Sequence, residues 1–158
     1  MTNEQTASLN KRMKEAHEEL ERCAVNAVNI CAHVGGMGVD QIRRDAKNGK
    51  TVGYRVEFGT APTLVQAAHA ALWAAIVKVA EIMREVRPHC STGWSAPFQH
   101  AHGCARSAVG LLRALEGVAH ALHGHCEVTR ASEHVFWLVD GAAGYGGWRA
   151  PTHDTPAF

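Results

Sequence analysis

The chain reads as a mainly α protein: a bundle of three long helices, a small β element at about residues 51–58 between the first two, and a short C-terminal element. Three observations predict this. Apolar residues recur in unbroken steps of four and three over three separate stretches, the spacing of helices that pack along their length. One stretch, residues 51–58, alternates apolar and polar residues instead, the period of a strand. Apolar residues make up 46% of the chain and aromatics only 6%. Alanine and valine therefore supply much of the core, a bias that suits closely approaching helix axes.

The first helix is expected over about residues 8–34, where Leu9, Met13, Ala16, Leu20, Cys23, Ala27, Ile30 and Val34 form one stripe. Gly35 to Gly38, "GGMG", should end it, because glycine takes the left-handed conformation that follows a helix. Residues 40–49 admit two readings. A short helix opened by Asp40 and closed by Gly49 is one; a hairpin turning at Asn48-Gly49 is the other. The hairpin would set Asp45, Arg43 and Gln41 opposite Val52, Tyr54 and Val56, mixing charge with the apolar face.

The second helix starts near Pro62, a residue suited to a first helical turn, and Pro88 ends it. Its stripe is Val65, His69, Leu72, Ile76, Val79, Met83 and Val86, and almost every face between Ala67 and Val77 is apolar. That makes it the most central helix of the fold. The third helix is expected over about residues 97–124, packing through Ala101, Ala105, Ala108, Leu112, Leu115, Ala119 and Leu122. Helices of roughly 26 residues would each be about 40 Å long, and matched lengths suit a bundle. After them, "SEHVFWLVD" reads as a helix opened by Ser132 or as a strand. Either way its apolar run must be buried. Residues 1–140 thus form one helical-bundle domain, and residues 141–158, rich in glycine and proline, a flexible tail.

Composition bounds the function. With 16 basic and 15 acidic residues the net charge is +1, so no global field steers the chain to nucleic acid or acidic lipid. The N-terminal residues contain no apolar leader, and the five cysteines form no CxxC pair. Reduced thiols and a cytoplasmic location are the expectation. The apolar window 61–83 carries Gln66, His69, Lys78 and Glu81, which favours a buried helix over a membrane span.

Five of the eleven histidines fall between His100 and His125. On the third helix His102, Arg106, Arg113, Glu116, His120 and His123 take the side away from the packing stripe. Glu116, His120 and His123 occupy consecutive turns, and His17 with Glu21 forms a similar pair on the first helix. Side chains at such offsets reach a common point, and imidazole with carboxylate suits zinc or another divalent metal. The competing reading is a solvated helix face. His69 lies inside an apolar stripe, so it needs a buried hydrogen-bond partner; Asn26, Asn29 or a backbone carbonyl are the candidates. Arg43, Arg44, Lys47, Lys50 and Arg55 form a basic segment that would touch phosphates. Cys104 and Cys126 stand beside histidines, but no third group is placed to orient a nucleophile.

There is no HExxH, no P-loop and no GxSxG in the chain. Without a catalytic signature, the leading expectation is a small non-enzymatic bundle that acts through protein–protein interaction, as an accessory or phage-type protein would. A homo-oligomer is expected, because three rods with small-residue seams leave apolar surface uncovered. The alternatives are a metal-binding bundle or metal-dependent enzyme using the His/Glu face of the third helix, and a nucleic-acid-binding accessory using residues 43–55.

Overall fold

The computed structural model describes residues 2–36, 51–52, 56–57, 61–89, 94–122 and 128–143. The expected helix or hairpin at 40–49, the basic residues 43, 44, 47, 50 and 55, His123, Cys126 and the tail from residue 144 lie outside them. The described chain is mainly helical. Its helices are α1 (Asn3–Gly36), α2 (Ala61–Val86), α3 (Ala96–Ala121) and α4 (Ser132–Ala143), with one 3-10 turn at Arg87–His89. Between α1 and α2, strand β1 (Thr51–Val52) pairs antiparallel with β2 (Val56–Glu57), Thr51 opposite Glu57 and Val52 opposite Val56.

α1 begins five residues before the expected Ser8, and its start is written in the sequence. The Thr2 hydroxyl accepts the Gln5 amide at 3.1 Å, while the Gln5 side-chain oxygen accepts the Thr2 amide at 2.8 Å. This reciprocal pair satisfies two donors that a helix start leaves unpaired. The helix runs on through Gly36, two residues into the expected glycine stop. α3 starts after Ser95 with Pro97 in its first turn, where the missing proline N–H removes nothing the helix needs.

The three long helices run up, down and up. Arg12 near the start of α1 pairs with Glu85 near the end of α2 at 2.8 Å, which sets those two antiparallel. His17 of α1 stacks on His100 of α3, so these two run parallel. Their stripes meet in one core that includes Leu20 and Ala27 of α1, Leu72, Ile76, Val79 and Met83 of α2, and Ala101, Ala105, Leu112 and Leu115 of α3. α2 packs against every other helix. Pro62–His89 is long and apolar enough to cross a membrane by length and composition alone; here Leu72, Ile76, Val79 and Met83 are buried among the other helices.

The short C-terminal element is a helix of 12 residues. It runs to Ala143, three residues into the expected tail, with Gly141 and Ala142 buried. Ala131, Val135, Val139 and Ala142 form its inner edge, a helical spacing that a strand would not keep on one face. α4 lies across α2 and α3. That arrangement leaves the seam between α1 and α3 uncovered among the described residues.

Candidate functional site

Two places gather polar chemistry: a buried hub under α4 and the open α1–α3 seam. The hub begins with a departure from the sequence pattern. The pattern puts His102 and Glu116 on the solvent side of the third helix, but both are buried, Glu116 at 8% exposure. The physical reason is that α3 has two inner edges. One faces α1 and α2; the other, His102, Val109 and Glu116 at seven-residue intervals, seats α4.

Glu116 binds the start of α4. Its Oε1 accepts the Ser132 hydroxyl at 2.8 Å, and its Oε2 accepts the backbone amides of Ala131 and Ser132 at 3.3 and 3.2 Å. Those amides are the unpaired donors of a helix N-terminus, where an acidic group is also favoured by the helix dipole. The capping group of α4 is thus supplied by another helix. On its other side Oε2 lies 2.8 Å from Nε2 of His69, which is 3% exposed on α2. The partner of His69 is Glu116 rather than Asn26 or Asn29. Trp73 meets the His69 ring edge-on at 5.9 Å.

The far end of α4 is held in the same manner. His102 Nε2 lies 2.8 Å from the Val139 carbonyl, and Arg87 donates to the Gly141 carbonyl at 3.0 Å. Arg106 Nε lies 3.2 Å from Asp140, and its guanidinium lies over the Phe136 ring at 5.8 Å. A 12-residue helix is marginal by itself, and these contacts tie both of its ends to α2, α3 and the adjoining 3-10 turn.

Of the expected metal ligands, Glu116 and His120 lie on α3 and His17 and Glu21 on α1, while His123 lies outside the described residues. The carboxylate of Glu116 is turned inward and fully engaged, while His120 is exposed on the next turn. His17 and Glu21, bonded to each other at 2.8 Å, belong to the α1–α3 seam instead. His120 and Glu116 both line a surface pocket of about 700 Å³ with Arg113, Arg130, Glu133 and Trp137.

The α1–α3 seam brings together residues that the sequence leaves apart. His17 and Glu21 are one turn apart on α1, and His100 and Cys104 are one turn apart on α3. The His17 and His100 rings stack with centroids 4.9 Å apart and planes inclined by 25°. Cys104 Sγ lies 3.9 Å from His100 Nε2. One donor atom from each of His17, His100 and Cys104 lies within 4.8 Å of the other two. Burial pushes the Cys104 thiol up, and the nearby Glu21 adds to the shift. The signal for this cluster was the pair of four-residue spacings, hidden because His100 reads as a residue of the helix start.

Cavities open on both sides of the stacked rings. One, of about 600 Å³, is lined by Met13, Lys14, Pro97 and Phe98. The other, of about 840 Å³, is lined by Leu20, Ala24, Val25, Gly103, Ala108 and Leu111. Val25 is 61% exposed there, and Val28, three residues further along α1, is 48% exposed.

Compared with protein-family models, with curated proteins and with solved structures, the chain gives no match.

Proposed function

We propose that this chain is a non-enzymatic interaction module, built on a frame of three long helices with the small β element between the first two, that acts by docking a helical surface along its α1–α3 seam. The first occupant we assign to the seam is a second copy of the chain. The observation that carries this reading is the placement of Val25 and Val28. They are the two most exposed large apolar side chains among the described residues, and they stand within one turn of α1.

Geometry supports a pairing of like with like. A twofold interface needs one patch that is complementary to itself. This seam offers a ridge, Val25 and Val28, directly beside an apolar groove formed by Ala24, Ala108 and Leu111. A rotation that lays the ridge of one copy in the groove of the other satisfies both at once. Glu18, Arg22, Asn26 and Asn29 border the ridge, the polar rim that surrounds the apolar centre of an interface.

Sedimentation equilibrium tests this. A chain of 17.0 kDa should sediment as a dimer over a concentration series. Four half-exposed valines per dimer contribute about 1 kcal/mol each on burial, so Val25→Glu with Val28→Glu should raise the dimer Kd by about a hundredfold or more. A wild-type chain that stays monomeric at high concentration, or a charged variant that dimerises equally well, overturns the reading.

A further inference from the structure

We propose that His17, His100 and Cys104 form a binding site for a zinc-class divalent cation, with Glu21 as the acidic partner that orients His17. Every ligand belongs to one copy, and Glu21, His100 and Cys104 also line the groove assigned above to the second copy, so metal binding is tested on dilute, monomeric protein.

The argument starts from backbone geometry. Two parallel helices each present two side chains one turn apart to the same seam: His17 and Glu21 from α1, His100 and Cys104 from α3. The donors are thus mounted on packed helices, and on such supports a ligand set keeps its spacing. Two imidazoles and a thiolate are borderline-to-soft donors, the set that selects zinc or cobalt over magnesium or calcium.

The distances are close to those required. In a tetrahedral zinc site, metal–nitrogen bonds near 2.0 Å and a metal–sulfur bond near 2.3 Å put neighbouring donors roughly 3.3–3.6 Å apart. Cys104 Sγ and His100 Nε2 are already 3.9 Å apart, and the whole triad lies within 4.8 Å. Ligation requires the two imidazoles, now stacked with planes inclined by 25°, to turn out of the stack so that their nitrogens converge on the cation. His100 is exposed and Cys104 half-buried, so a cation has a path in.

Glu21 completes the arrangement. It holds the His17 ring at 2.8 Å, and a carboxylate on a ligating histidine fixes the ring orientation and raises its basicity. The carboxylate also offsets the cation's charge. Once bound, the cation links α1 to α3 across the seam that α4 leaves uncovered, so it should stabilise the fold by linkage.

The test uses the full chain, stripped of metal by a chelator and titrated with Co²⁺ and then Zn²⁺. One Co²⁺ per chain should bind with the intense near-ultraviolet band of thiolate-to-cobalt charge transfer and the visible bands of a four-coordinate ion. Zn²⁺ should displace it and raise the unfolding temperature. Cys104→Ser should abolish the charge-transfer band and the thermal shift while its circular dichroism stays that of the wild type. His100→Gln and His17→Gln should each weaken binding at least tenfold, and Glu21→Gln about tenfold with the band retained. The proposal is overturned if cobalt gives no charge-transfer band. It is equally overturned if the band survives Cys104→Ser, which would place the thiolate elsewhere, or if neither histidine variant weakens binding.

Discussion

Removing the carboxylate of Glu116 should loosen α4 more than any other single change at a charged residue of the described chain. In Glu116→Ala, four donors lose their acceptor: Nε2 of His69, the amides of Ala131 and Ser132, and the Ser132 hydroxyl. At about 1 kcal/mol for each buried hydrogen bond the loss is about 4 kcal/mol. For a domain of this length, the unfolding temperature should fall by about 8–16 °C. Glu116→Gln separates shape from chemistry. Its oxygen, in the place of Oε2, can still accept from His69 and the two amides while its NH2 donates to the Ser132 hydroxyl oxygen, so the expected loss is only about 1 kcal/mol. Far-ultraviolet circular dichroism with thermal and urea unfolding measures both. A double-mutant cycle with His69→Ala should show strong non-additivity, since the two side chains share one bond. If Glu116→Ala unfolds within about 1 kcal/mol of wild type, the clamp is not what holds α4, and the reasoning fails.

Two further changes probe other parts of the argument. Ala105 is fully buried on the α3 stripe, so Ala105→Leu should overfill the centre of the bundle and destabilise it by about 1–3 kcal/mol in urea unfolding. Thr2→Ala removes half of the reciprocal cap on α1; a loss of about 1 kcal/mol should appear as faster amide exchange confined to the first turn.

The long rods were legible because steps of four and three leave little else for those residues to be. The stripes expected on α1 and α3 are the buried ones, Leu9 to Val34 and Ala101 to Leu122. What the pattern hid is that α3 has a second inner edge. His102 and Glu116 carry polar labels, and a one-stripe reading assigns every polar residue to solvent. Burying Glu116 is favourable only because α4 brings unpaired amides to it, and α4 follows it in the chain at positions that read equally as helix or strand. The Thr2–Gln5 spacing was readable as a helix start and lay outside the first apolar repeat. The His17–Glu21 and His100–Cys104 spacings were readable, but their meeting was not, because it depends on α1 and α3 running parallel and in register, which no local pattern encodes.

Photocrosslinking from position 28 tests the functional account most directly. With benzoylphenylalanine replacing Val28, irradiation of the purified chain should give a covalent dimer. Its crosslinks should map to the Leu20–Val28 stretch of α1 or the Gly103–Leu111 stretch of α3 in the second copy. The same probe at the exposed position Glu81 on α2 should leave the chain monomeric. Adducts of equal yield from both positions, or crosslinks from position 28 that map to α2, would contradict the account.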